Sequence, residues 1–140
     1  MKTATVFLFL AATIINSQAI ERCVLVEALR NAGDVSIKGY TIADYVCLAS
    51  YASHYDTSLN ISATEYGIFQ INGYWWCDDK KSVARKNLCG VLCTDLLNHD
   101  LEDDIKCAKR VVQDPKGFNA WIPWVKYCKG KNLDEFVAGC

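Results

Sequence analysis

Apolar positions along this chain recur at helical spacing in several stretches. Between Cys23 and Gly33, Val26 and Leu29 share one face and Gly33 supplies a stop, which predicts a first helix. Ile42, Val46 and Ala49 follow a Thr41 cap at intervals that line one face up to about His54, predicting a second helix that carries Cys47. Ile105, Ala108 and Val111 mark a third, with Asp103 and Asp104 at its positive end and Asp114-Pro115 closing it. Pro123 is placed to open a short fourth.

Residues 57–72 have another character. Ile61, Thr64, Tyr66, Ile68, Phe69 and Ile71 favour strand, with Gly67 and Gly73 as turn points, so a small antiparallel sheet is expected there. From Cys77 to Cys93 the chain is polar and irregular, a long loop that buries too little apolar surface to hold itself and needs covalent ties. No repeat, low-complexity tract or Pro/Gly-rich linker interrupts the pattern.

The start of the chain reads as a leader. Lys2 precedes an apolar run from Val6 to Ile15, and Ser17-Gln18-Ala19 has the small residues that signal peptidase recognises, so residues 1–19 are expected to be a removed signal peptide. That run is roughly ten residues, short of the ~20 needed to span a bilayer. No later stretch comes closer, so residues 20–140 are expected to form one secreted, extracellular domain with no membrane span, acting as a monomer.

Cysteine usage and charge narrow the class. All 8 cysteines lie after the leader, an even number in a chain bound for an oxidising compartment, which predicts disulfides throughout. Zinc is disfavoured because no C-x-x-C pair with a nearby histidine offers a tetrahedral ligand set. Spacing alone leaves on the order of a hundred pairings open. With 15 Lys+Arg against 16 Asp+Glu the chain has no general attraction to anionic walls or nucleic acid, and losing Lys2 with the leader only lowers its charge further. Nucleic acid is therefore excluded as a partner.

Several stretches together resemble the c-type lysozyme and α-lactalbumin family: Gly39-Tyr40, Tyr66-Gly67-Ile68-Phe69-Gln70-Ile71-Asn72, Trp75-Trp76-Cys77, Asn87-Leu88-Cys89, Cys107-Ala108-Lys109 and Asn119-Ala120-Trp121. All the cysteines fall in register with these motifs. The resemblance implies an α+β lysozyme-like fold, a helical lobe and a small antiparallel β lobe with a sugar-binding cleft between them. It implies the pairing Cys23–Cys140, Cys47–Cys128, Cys77–Cys93 and Cys89–Cys107. The stretch from Cys128 to Cys140, with Phe136 where an aromatic is usual, is more similar to lysozyme than to α-lactalbumin.

The family's chemistry needs two carboxyl groups, a glutamate five residues after the helix cysteine to protonate the leaving oxygen and a sheet aspartate as nucleophile. Here the first position is Ala52, in a segment that matches without gaps, and a methyl group donates no proton. The second is Glu65, one methylene longer than aspartate. A misplacement of about 1 Å can cost ~100-fold in rate, and loss of a general acid removes about 100- to 10,000-fold. Asp56 and His54 are the nearest substitutes, but neither leaves the helix in the direction of Ala52.

The rest of the groove is present: Gln70, Asn72, Trp75, Trp76, Asp114, Ala120 and Trp121 match family positions that contact sugar. Gln70, Asn72 and Trp121 equally suit packing and hydrogen bonding. Between Cys47 and Glu65 the chain is a few residues shorter than typical family lysozymes, and Asn60-Ile61-Ser62 in that stretch is an acceptor sequon for N-glycosylation. Between Cys93 and Cys107, Asp95-x-x-Asn98-x-Asp100-x-x-Asp103-Asp104 resembles the calcium loop of α-lactalbumins and a minority of lysozymes. Carried over by position, Asp103 and Asp104 give Ca2+ carboxylates, Asn98 a side-chain oxygen, and Asp95 and Asp100 backbone carbonyls. Asn98 stands where binders have aspartate, and helix capping alone would also explain Asp103 and Asp104.

The resemblance points first to a secreted lysozyme-like protein without efficient muramidase activity, one that keeps a cleft for oligosaccharides containing N-acetylglucosamine. The alternatives are an active lysozyme cleaving β-1,4 bonds of peptidoglycan through Glu65 and a substitute acid, and an α-lactalbumin-like regulatory subunit of a galactosyltransferase. The last role uses an aromatic–histidine pair on the second helix where this chain has Ser50 and Tyr51.

Overall fold

A computed structural model describes residues 19–140; the leader expected at 1–19 lies outside the described residues but for Ala19. Among the described residues, four α-helices, α1 (Arg22–Arg30), α2 (Ile42–Ser53), α3 (Glu102–Gln113) and α4 (Ile122–Tyr127), surround a core, and a two-stranded antiparallel sheet, β1 (Glu65–Tyr66) and β2 (Ile71–Asn72), stands beside them. This is the helical lobe and small β lobe of an α+β fold.

The helix boundaries follow local chemistry. At the start of α2 the Asp44 carboxylate accepts from the Thr41 backbone N–H at 2.9 Å, closing a capping box. The helix ends where His54 turns left-handed, φ 52°. The first turn of α3 holds Glu102, Asp103 and Asp104, acids at the positive end of the helix dipole. Near its end the Val111 carbonyl accepts from the N–H of Asp114, which is extended ahead of Pro115 as a residue before proline prefers.

Helix α2 differs from the one-faced helix that its apolar spacing predicts. Tyr45, Val46, Cys47, Leu48 and Ala49 are all fully buried, so the helix is wrapped on nearly every side by α1, α4 and the 3-10 turn Asp134–Phe136. The same core holds Leu25, Val26 and Leu29 of α1, Ile105, Ala108, Val111 and Val112 of α3, and an aromatic group centred on Phe118. Phe118 meets Tyr45 edge-on at 4.8 Å and Tyr40 at 4.7 Å, the arrangement ring quadrupoles favour. The buried Tyr45 hydroxyl donates to Val35 O at 2.9 Å, and burial raises its pKa.

The sheet is smaller than the apolar run 57–72 suggests. Only Glu65↔Asn72 and Tyr66↔Ile71 pair; Gly67 to Gln70 form the turn, and Ile61 stays 87% exposed. Ile68 and Phe69 are buried because the turn itself, not a strand face, is pressed into the helical lobe. The disulfides are Cys23–Cys140, Cys47–Cys128, Cys77–Cys93 and Cys89–Cys107, as the resemblance implied. The second anchors α2 to the end of α4, and the last two hold the polar loop between β2 and α3.

Gly67 is the tightest point between the lobes. Its φ is +81°, and a Cβ there would lie 2.2 Å from Leu96 O and 2.7 Å from Asp104 Oδ2. Gly67→Ala is expected to cost roughly 2–4 kcal/mol, left-handed strain plus overpacking, read as a lower urea midpoint at unchanged slope.

Candidate functional site

A cleft of about 690 Å3 runs between the lobes and collects every sugar-contact candidate from the sequence: Gln70, Asn72, Trp75, Trp76, Asp114, Ala120 and Trp121, together with Ala52 and Glu65. These residues come from the end of α2, both strands, the loop after β2, the end of α3 and the approach to α4. Val111, Pro115, Lys116, Ile122 and Pro123 complete the lining and are not among the sugar-contact candidates of the sequence. Ile122 is 79% exposed; an apolar residue left in water at the lip of a cleft is visible only once its surroundings are known.

Some of the candidates are held by the fold itself. Trp121 is buried, and its indole N–H donates to Phe69 O at 2.9 Å. Gln70 turns left-handed at φ 49°, and its amide donates to Leu59 O and Gly67 O, both at 2.9 Å. Asn72 Oδ1 accepts from the backbone N–H groups of Tyr74 and Trp75 at 2.8 and 3.2 Å, so it shapes the bend that delivers the tryptophans. Trp75 is 49% exposed and meets Tyr74 edge-on, while the Arg110 guanidinium lies over the Trp76 ring. Exposed indole faces beside polar groups are what pyranose rings stack on.

The acids of the cleft are Glu65 and Asp114. Glu65 is exposed on β1, and Asp114 accepts from Arg110 Nη1 at 2.8 Å. Asp56 and His54 lie elsewhere. Asp56 Oδ1 accepts from the Ser58 N–H and hydroxyl, both at 2.9 Å, capping a turn. His54 is the exposed left-handed cap of α2, and neither residue lines the cleft. Asn60 is exposed, but its side-chain nitrogen, the atom a glycan would modify, already donates to Ser62 O and Glu65 O at 2.9 and 2.8 Å.

A family model described as "C-type lysozyme/alpha-lactalbumin family" matches residues 18–140. The chain belongs to that family. Lysozyme C of Bufo gargarizans andrewsi is 48% identical over 128 residues, covering 88% of this chain and 88% of that protein. Lysozyme C of Pelodiscus sinensis is 41% identical over 125 residues, 86% of this chain and 95% of that protein, and Lysozyme C-2 of Sus scrofa is 39% identical over 144 aligned positions, 100% and 99%.

Within this lysozyme-family chain the acidic loop before α3 is the second place of interest. Asn98 Oδ1 accepts from the Asp100 N–H and Asp100 Oδ1 from the Glu102 N–H, each at 3.0 Å, so both serve the turn into the helix. Asp95 lies in the 3-10 turn Cys93–Leu96 and Asp103 is half-buried. Asp104 is 1% exposed, and neither of its carboxyl oxygens has a hydrogen-bond partner. Burial, then the nearby Asp103 and Asp100 charges, push its pKa up to about 8. Among the described residues, no three His, Cys, Asp or Glu side chains are gathered into a metal-binding group. A cation here would therefore depend on backbone carbonyls and Asn98 as much as on carboxylates.

Two substitutions separate framework from surface. Trp121→Phe leaves the buried Phe69 carbonyl without its donor and is expected to cost about 1–3 kcal/mol. Trp75→Ala at the exposed rim is expected to stay within about 0.5 kcal/mol of the parent; thermal denaturation of both variants measures the contrast.

Proposed function

We propose that this lysozyme-family protein is a secreted saccharide-binding protein in which efficient glycoside hydrolysis has been lost. The observation that carries the reading is the content of the cleft: Ala52 and Glu65 both line it, and its other acid, Asp114, is ion-paired with Arg110. Retaining hydrolysis requires one carboxylic acid to protonate the departing oxygen while a second carboxylate acts at the anomeric carbon. Glu65 can fill only the second role. The methyl of Ala52 holds no proton, so the leaving alkoxide would depart unprotonated, a barrier that general acid catalysis ordinarily lowers by ~100- to 10,000-fold in rate.

Binding needs neither carboxyl group. The tryptophan faces of Trp75 and Trp76, with amide and carboxylate groups between them, suit oligosaccharides containing N-acetylglucosamine. Four disulfides fit an oxidising, extracellular setting, and among the described residues no helix is long and apolar enough to cross a membrane. The names of the relatives, all Lysozyme C, favour a second reading in which the chain still hydrolyses peptidoglycan through Glu65 and some other acid.

Turbidity of a bacterial wall suspension, followed across pH, decides between them. The chain itself is expected to clear little, the pair Ala52→Glu with Glu65→Asp to gain roughly 100-fold or more, and chitotriose to quench the indole emission of the unsubstituted protein. Rapid clearing by the unsubstituted chain that Ala52→Glu does not raise would establish the second reading instead.

We infer also that the loop from Asp95 to Asp104 takes one calcium ion, with Asp103, Asp104 and Asn98 giving side-chain oxygens and Asp95 and Asp100 carbonyls. Its support is Asp104, a buried carboxyl group whose oxygens lack donors and whose neighbours are acids. Calcium would neutralise that crowding. In the metal-free protein the folded pKa lies above the unfolded value, so the folded state holds the extra proton and stability falls as pH rises from about 4 to about 8. Calcium at a hundredfold excess over Kd is expected to add about 2.7 kcal/mol, on the order of 10 °C in Tm for a domain of this size. Asp104→Asn should raise metal-free stability at neutral pH and abolish the calcium response. An identical Tm with calcium and with chelator would dispose of the site.

A further inference from the structure

Trp76 and Asp114 reach the cleft from separate parts of the chain, the loop after β2 and the end of α3, and one side chain bonds the second while lying over the ring of the first. The Arg110 guanidinium carbon lies 5.7 Å from the centroid of the Trp76 ring. Its Nη1 donates to Asp114 Oδ1 at 2.8 Å. Arg110 and Asp114 are one helical turn apart, so the backbone of α3 sets their spacing.

The main chain of Asp114 is fixed independently of this contact. Its N–H donates to Val111 O at 3.1 Å, and its carbonyl accepts from the Gly117 N–H at 2.9 Å and from Lys38 Nζ. What Arg110 adds is the direction of the carboxylate. The two side chains are 37% and 38% exposed, and an ion pair that open contributes little to holding a fold together. A guanidinium can lie flat on an indole and donate in its own plane at the same time; an ammonium cannot do both. Trp76 and Asp114 line the cleft, and Arg110 is not among its lining residues.

We propose that Arg110 is a positioning residue that couples Trp76 to Asp114, making the indole face and the carboxylate of this groove one recognition unit. With Oδ1 held by Arg110, Oδ2 remains to accept from a sugar hydroxyl or acetamido N–H beside the stacked ring. The functional part of this assignment rests on the saccharide-binding reading above; the coupling itself does not.

The test is a double-substitution cycle of Trp76→Leu and Asp114→Asn in chitotriose affinity, measured by calorimetry with Arg110 present, with Arg110→Ala and with Arg110→Lys. With Arg110 the two effects should depart from additivity by about threefold or more in Kd, and in both Arg110 variants they should be additive to within about twofold. A second readout needs no ligand: Asp114→Asn should shift the Trp76 indole N–H resonance in the Arg110 protein and leave it in place in Arg110→Ala. A chain that binds no chitotriose would remove the saccharide reading while the indole measurement still decides the coupling. An indole shift equal with and without Arg110, or a cycle unchanged by Arg110→Ala, overturns the proposal.

Discussion

The turn between the two strands is buried in the helical lobe, and its carbonyls must find donors there. A buried, unpaired backbone carbonyl costs as much as a lost hydrogen bond. Trp121 supplies the indole N–H for Phe69, and Ser53 supplies its hydroxyl for Ile68 at 2.6 Å. These bonds come from the end of α2 and the approach to α4, the same segments that bring Ala52, Ala120 and Trp121 to the cleft. The cleft therefore has the shape it has because one turn is pegged at two points, and the groove is the space left beside the pegs.

Much of this was legible from the residues. The spacing of Val26 and Leu29, of Ile42, Val46 and Ala49, and of Ile105, Ala108 and Val111 located the main helices, because each places apolar groups on one side of a 3.6-residue period. Two features escaped it. Periodicity reports one buried face and cannot reveal that α2 is enclosed all round, since that depends on which other helices arrive. Nor can strand preference tell Ile68 and Phe69 in a buried turn from the same residues in a strand, as both require large apolar groups.

The site divides in the same way. The motifs Tyr66 to Asn72, Trp75-Trp76 and Ala120-Trp121 led to the cleft through resemblance, and the structure brings them to one groove. Ile122, Lys116 and Arg110 gave no signal. A half-exposed arginine on an amphipathic helix looks like any solvated surface charge until the ring it lies over is placed. For Asn72, Gln70 and Trp121 the sequence left framework and ligand contact open, and the hydrogen bonds assign each a framework duty without removing it from the groove.

Gly67 stands two residues from Glu65 and directly against Asp104, where two oxygens occupy the space a methyl would need. The acidic loop and the cleft are thereby mechanical neighbours, separated by a single bare α-carbon. A displacement of the Asp104 carboxyl group toward Gly67 would therefore press on the strand end that carries the groove's exposed acid.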